Sequence, residues 1–314
     1  MSFEETTSPE SALVVLTAGG FLKRVGLEEF EAQKRGGKGV VGGKPGEEDA
    51  ISCITPAASG DRVLFFTNLG MCHSLDVEEV PAMRRYARGR KVASFLKLAQ
   101  GEEVAFMLAH GGPFEQQPLV VVSKKGIIKR TPLSSFKKPR AGGTLAMSLS
   151  EGDNVCGAYV STGAQETLIF TAAGKVVRFD EGSVRVMGKA AQGVRGVRLS
   201  GSDVTVGVCP ASEGLNVLTV SEKGFGKLTP QTEFRKTARG AGGVTGAKLN
   251  EKTGMLAFAG TLRAAEVLLC SANGKFIRFH SSDVRETGRT AVGVRLMRLE
   301  EDDRVAFGVV VPAR

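Results

Sequence analysis

LIFTAAGKVVR (Leu168–Arg178) is the stretch on which the reading of the fold turns. A run of aliphatic and aromatic residues ends in a threonine, a glycine follows three residues later, and a second apolar and basic run begins at once. Two strand-forming runs around a short turn that closes on glycine signal a hairpin, because glycine enters the φ > 0 conformation without steric cost. The pattern recurs five more times: VVLTAGGFLKR (Val14–Arg24), LFFTNLGMCHS (Leu64–Ser74), VVVSKKGIIKR (Val120–Arg130), LTVSEKGFGKL (Leu218–Leu228) and LLCSANGKFIR (Leu268–Arg278). The turn glycines Gly20, Gly70, Gly126, Gly174, Gly224 and Gly274 step by 50, 56, 48, 50 and 50 residues, the long step holding the insertion from His110 to Gln117.

A second apolar–turn–apolar pattern follows the first in each unit. Val92–Leu98 and Val104–His110 flank Gly101, Leu145–Leu149 and Val155–Val160 flank Gly152, and the last unit repeats the arrangement to Val311. Read as a second hairpin, it gives each unit four short strands and the chain about 24, with helix confined to single turns near Glu28 and Glu78. One such small sheet cannot bury both faces, so neighbouring units must supply its core, and radial packing follows. The expected architecture is all-β, a six-bladed propeller-like disc. Its blades fall at approximately 11–59, 60–116, 117–164, 165–213, 214–264 and 265–314, after a polar tail at 1–10. A straight β-solenoid fits less well, since its repeats are usually shorter.

Lys and Arg number 42 against 33 Asp and Glu, a formal charge of +9, which favours a polyanionic partner. The five cysteines lie far apart, four of them inside apolar runs, and read as reduced core residues. No apolar stretch approaches the roughly 18 residues that span a bilayer, and the acidic start MSFEETTSPE is no signal peptide. A cytoplasmic location is expected. His73, His110 and His280 fall in different units without metal-ligand spacing, and no G-x-S-x-G elbow occurs. The chain therefore reads as non-catalytic, with no metal and no cofactor.

The charge is patterned. Residues 80–101 hold Arg84, Arg85, Arg88, Arg90, Lys91 and Lys97 without an acid, and residues 116–150 hold Lys124, Lys125, Lys129, Arg130, Lys137, Lys138 and Arg140, again without one. Later units carry Arg185, Lys189, Arg195 and Arg198, then Arg235, Lys236, Arg239 and Lys248, then Arg285, Arg289, Arg295 and Arg298. Acids gather at the following turns, such as Glu102–Glu103, Asp153, Asp203 and Glu300–Asp303. In a closed disc, equivalent loops fall on one circle, so these cations are expected to form a belt. A belt suits a long, bent polyanion: duplex DNA carries one charge per about 1.7 Å, and bending it by 40–90° costs on the order of 1–6 kcal/mol, which contacts spread over several blades can offset. Few aromatics accompany the cations and no helix is available for a major groove. The expected mode is phosphate contact with little base readout.

The first unit carries the sharpest motif, Gln33-Lys34-Arg35-Gly36-Gly37-Lys38-Gly39. Glycines let backbone N–H groups approach a phosphate while the cations supply charge. The heptapeptide resembles, at all seven positions, the box that marks the C-terminal domain of the gyrase A polypeptide of DNA gyrase, and the resemblance extends through all six repeats. Degenerate counterparts surround Gly89, Gly143, Gly193, Gly243 and Gly293. The resemblance implies a β-pinwheel whose blades exchange strands. It implies double-stranded DNA wrapped on its perimeter, with the box at the junction of first and last blades. It further implies work within an ATP-dependent type IIA topoisomerase, beside the catalytic part of gyrase A and the ATPase component gyrase B, where wrapping enables negative supercoiling. A nucleoid-associated, monomeric domain is expected. The box and Arg85, Arg88, Arg90, Lys91, Lys129, Lys137, Lys138, Arg140, Lys189, Arg195, Arg235, Lys236, Arg239, Arg285 and Arg289 are the expected DNA contacts. A topoisomerase IV-type domain for substrate selection, in which the box is usually eroded, is the near alternative. A propeller binding an acidic protein is the alternative of another class.

Overall fold

Six four-stranded antiparallel sheets hold the 24 strands found among the described residues. The computed structural model describes residues 11–41, 49–114, 117–137 and 140–312; the polar tail at 1–10 and Lys138 lie outside them. From axis to rim, the first sheet runs Ile51–Ala58, Ser11–Thr17, Phe21–Gly26 and Arg90–Lys91. The innermost strands are Ile51–Ala58, Val104–His110, Val155–Val160, Thr205–Ala211, Leu256–Leu262 and Val305–Pro312. Each touches the next around the axis, and the last touches the first.

The Thr/Ser-x-x-Gly repeat has a local cause. In each turn the glycine N–H donates to the Thr or Ser carbonyl, as from Gly20 to Thr17 at 2.9 Å and from Gly174 to Thr171 at 2.9 Å, and each of the six glycines has φ between 73° and 80°. In five turns the hydroxyl then accepts the N–H of the residue after the glycine, as Thr17 does from Phe21 at 3.0 Å. A β-bulge sits at the same Thr or Ser in all six sheets. Asp49, Asp153, Asp203 and Asp303 brace these turns by accepting a backbone N–H of the tip, so the acids between the basic loops are structural.

The expected second hairpin does not form. Val92–Ser94 is a 3-10 turn. Arg90–Lys91 pairs with Phe21 and Leu22 of the preceding sheet, while Val104–His110 pairs with Arg62–Thr67 of its own. Every unit splits this way, sending two residues outward to the preceding sheet. The physical reason is the sheet edge: three strands leave a row of open backbone groups, and the next unit's loop is the segment that satisfies them. The sixth sheet takes its outer strand, Val40–Val41, from the first unit, which pairs with Lys275 and Phe276 and closes the ring.

Cores lie between blades. Six apolar clusters occupy the six junctions, for example Leu22 and Val14 with Phe65 and Leu75, and Phe30 and Val25 with Phe276 and Leu268 across the closure. Residues alternate between two buried faces, Phe65 toward the first blade and Phe66 toward the third. Strands covered on both sides need apolar residues at every position, which is why the repeats read as unbroken apolar runs. The cysteines belong to these cores and none is paired. Burial pushes the Cys53, Cys156 and Cys209 thiols up to about 12 and raises those of Cys72 and Cys270.

Candidate nucleic-acid interface

Each basic loop follows a one-turn 3-10 helix and ends in the outer strand of the preceding sheet, and five of them are seen among the described residues to run parallel to that sheet's third strand. Bridges between Arg24 and Ala82, Arg130 and Val186, Leu228 and Glu286, and Ala32 and Arg278 fix the parallel section. Gly39, Gly89, Gly143, Gly193, Gly243 and Gly293 all take positive φ at the turn. Equivalent residues thereby share one radius. The position of Arg35 is occupied by Arg85, Lys189, Arg239 and Arg289 in four other loops.

Lys34, Arg35, Lys38, Arg88, Arg90, Lys91, Lys137, Arg140, Arg195, Arg235 and Arg285 are exposed on this rim. Arg85, Lys189, Arg239 and Arg289 are half-buried. Arg239 donates to Arg195 O at 2.6 Å and Arg289 to Thr245 O at 2.9 Å, each bridging to the neighbouring outer strand, and Arg85 donates to Glu29 O at 3.1 Å. Several cations lean on aromatic faces: Arg88 and Lys91 lie 4.2 and 4.0 Å from the Phe21 ring centroid, and Arg295 lies 5.0 Å from that of Phe225. Such contacts limit the motion of long side chains and leave the charge at the surface.

The box spans the ring closure. Gln33 N–H donates to Arg278 O at 2.7 Å, Gly36 N–H to Leu296 O at 2.6 Å, and Arg298 N–H to Gly37 O at 2.9 Å. Arg278 in turn donates to Leu27 O and Phe30 O. The glycines and Gln33 thus tie the first unit to the sixth, while the three cations face solvent.

One expected contact needs correction, and a second is ion-paired. Lys129 is fully buried and inaccessible to phosphate; its ammonium donates to Ala146 O at 2.8 Å and Lys189 O at 2.5 Å. It faces inward because alternate residues of a strand point to opposite sides, and here both sides are covered. Lys236 is exposed, but it bonds Asp180 and meets Glu166 Oε1 at 3.2 Å, and these hydrogen bonds hold its pKa above the usual value. Its charge is therefore shared with two carboxylates.

The reading of the sequence missed the brackets beneath the rim. Lys23 and Lys227 repeat the role of Lys129, donating to Ala87 O at 2.7 Å and to Gly288 O and Ala291 O at 2.9 Å. Arg130 and Arg178 donate to carbonyls of the next unit's 3-10 turn, as Arg278 does. The signal for them was a Lys or Arg three or four residues after the turn glycine. Burial pushes Lys129 and Lys227 down to about 8; at Lys227, Glu233 and Arg289 act in opposite directions as smaller influences. Between pH 8 and 10.5 the unfolded chain keeps protons that the folded chain has lost, so this contribution makes stability rise with pH. Urea unfolding from about pH 7.5 to 9.5 is expected to show that rising component in the parent chain and a flatter profile in Lys129→Met/Lys227→Met. Identical slopes contradict the assignment.

The histidines stay apart. His73 Nε2 meets Glu102 Oε1 at 3.0 Å, His110 stacks on Phe114, and His280 Nδ1 contacts Ser282 Oγ at 2.7 Å. Tyr159 is buried against Thr167 Oγ1 at 2.8 Å. Among the described residues no group of three His, Cys, Asp or Glu is placed to hold a metal, and no helix is long and apolar enough to cross a membrane.

Known proteins share this geometry. The family model for the DNA gyrase C-terminal domain, beta-propeller, matches residues 12–52, 61–110, 117–161, 165–208, 215–261 and 265–312. The gyrase A polypeptide of Salmonella typhimurium DNA gyrase is 34% identical over 307 residues, 97% of this chain and 35% of that protein. Its Chlamydia trachomatis counterpart is 37% identical over 307 residues, 96% of this chain and 36% of its own length. The chain spans about a third of the length of the curated relatives it matches. A solved DNA gyrase A C-terminal domain superposes with a TM-score of 0.88 at 25% identity, covering 96% of this chain and all of that one. The C-terminal domain of DNA topoisomerase IV shares the fold, with a TM-score of 0.72 at 22% identity and 98% and 95% coverage. Six matched units and gyrase A relatives above 30% identity along nearly the whole chain mean that it belongs to the DNA gyrase C-terminal domain family of β-propellers.

Proposed function

We propose that this β-pinwheel binds duplex DNA by its phosphates and bends it around the rim, and that within a gyrase holoenzyme this wrap enables negative supercoiling. The observation that carries the reading is the ring of basic loops at one radius, with the intact box across the closure. A curved polyanion meets cations on successive blades, so the cost of bending is distributed. The exposed side chains are chiefly Lys and Arg, suited to phosphates rather than to base edges. The chain itself does no chemistry on this reading. ATP hydrolysis and strand passage belong to the catalytic part of gyrase A and to gyrase B, and the setting is the cytoplasm and its nucleoid. The domain works as a monomer, its rim left free for DNA. The intact box favours gyrase over a topoisomerase IV-type role.

The test is topological. Bound to nicked circular DNA that is then ligated, the chain is expected to change the linking number. Duplex affinity should fall about 10³–10⁵-fold between 50 and 200 mM salt if six to ten phosphates are held. An unchanged linking number excludes wrapping. Loss of duplex affinity with retained binding to an acidic protein favours the alternative class.

A further inference from the structure

Two of the six rim junctions carry the same arginine set. Counted from the glycine before each outer strand, arginine stands both two and five residues on in only two units: Arg195 and Arg198 after Gly193, and Arg295 and Arg298 after Gly293. The loop beside each pair is matched as well. Arg239-Gly240 meets the first pair, and Arg35-Gly36 of the box meets the second. Glycine stands three residues before the outer-strand glycine at these two places alone; the other four units have Tyr86, Arg140, Ala190 and Thr290.

The glycine has a geometric cause. Gly36 and Gly240 have φ of 79° and 77°, and among the described residues no other residue type takes positive φ. In that conformation Gly240 N–H donates to Gly196 O at 2.7 Å, and Arg198 N–H returns to Ala241 O at 2.9 Å. The closure repeats both bonds, from Gly36 to Leu296 O at 2.6 Å and from Arg298 to Gly37 O at 2.9 Å. The rims of the third and fourth blades are therefore stitched backbone to backbone in the way the box stitches the closure.

Three arginines gather around this stitch. Arg239 donates to Arg195 O at 2.6 Å and to Ser183 O at 3.3 Å. A Cβ on Gly242 would lie 3.8 Å from an Arg198 guanidinium nitrogen, and one on Gly240 would lie 3.8 Å from Arg195 Cγ. Arg195 and Arg198 are exposed and Arg239 is half-buried. None of the three is ion-paired among the described residues. Like charges held side by side without a carboxylate raise the local positive potential, and guanidinium forks match phosphate oxygens two at a time. Neither Arg198 nor Arg298 is among the DNA contacts expected from the sequence.

We propose that Arg195, Arg198 and Arg239 form a second clamp on duplex phosphates, equivalent to one that Arg35, Arg295 and Arg298 form at the closure, with Gly240 as the positioning residue that sets the two loops in register. The clamp rests on the wrapping proposed above. It adds that the duplex is held hardest at two junctions, two blades apart, instead of evenly along the rim.

The test is a set of double-variant cycles on the full chain, with the affinity for a labelled duplex read by fluorescence anisotropy at fixed salt. Arg198→Gln, which leaves the backbone bonds in place, should weaken binding at least about threefold and make the salt slope shallower by about 0.9. Arg198→Gln with Arg239→Gln should lose at least about threefold less than the product of the single losses, because the two side chains grip the same phosphates. Arg198→Gln with Arg285→Gln, carried on the fifth sheet, should lose the full product. Gly240→Ala keeps every cation; it should speed amide exchange at Arg198, weaken binding and bring the Arg198/Arg239 pair close to the product. An unaltered slope in Arg198→Gln, or a junction pair that multiplies as freely as the distant pair, overturns the clamp. Full coupling retained in Gly240→Ala overturns the positioning role. A parent chain that binds no duplex fails wrapping itself. A parent chain that binds duplex and changes the linking number while every pair multiplies fails only the clamp.

Discussion

Alanine at Lys34, Arg35 and Lys38 together is expected to leave the fold intact and to abolish the wrap. All three side chains are exposed and none carries the ring closure, which uses Gln33 and the glycine backbone. Surface changes of this kind stay within about 0.5 kcal/mol each, so the thermal midpoint should move little. The electrostatic loss is larger. Three fewer phosphate contacts make the salt slope of duplex binding shallower by about 2.7, and the linking-number change should fall to the level of DNA alone. In a reconstituted holoenzyme, negative supercoiling should disappear while relaxation and decatenation persist. Equal loss of all three activities would refute the division of labour between rim and catalytic core. An unfolded triple variant would show instead that the cations hold the junction.

The converse change leaves every charge in place and opens the ring. Gly39 has φ +71°, and a Cβ there would lie 2.6 Å from Phe276 O, in the sheet that Val40–Val41 completes. Gly39→Val combines a β-branched residue in a left-handed conformation with a backbone clash, at a cost of about 3 kcal/mol or more. Gly60→Ala is the control: φ is +84° and nothing lies within 4 Å of the added Cβ. Only the conformational cost of about 1–2 kcal/mol remains there. Urea titration should separate the two, and amide exchange at Val40 and Phe276 should accelerate only in Gly39→Val. The wrap should weaken although Lys34, Arg35 and Lys38 remain. Equal destabilisation by the two variants would remove the close approach at Gly39 from the account of closure.

These two variants separate what the box does with its side chains from what it does with its backbone. The distinction was half legible in the residues. Glycine beside cation suggested close approach to a phosphate, yet Gly39 approaches Phe276 O and Gly36 donates to Leu296 O. The backbone donors of Gln33 and Gly36 are occupied by protein, so on the function proposed above the box would act on DNA mainly through its charge.

The repeat by itself determined the number of sheets, the turn chemistry and the radial arrangement, because each rests on short-range facts. A Thr or Ser three residues before the glycine closes the turn in all six repeats, and an apolar run without polar alternation must be covered on both sides. The rim could be read for the same reason, since acid-free loops recurring every 50 residues or so must recur in space once the blades are equivalent. Only the tertiary structure decided which edge each short strand joins. Arg90 and Lys91 find Leu22 and Phe21 far back in the chain, and no local pattern distinguishes that partner from the strand next in sequence. It also decided that Lys129 is a bracket and Lys236 an ion pair. In the sequence a lysine looks the same whether its ammonium meets water, a carboxylate or two carbonyls, and the choice is made by what the neighbouring blade places beside it.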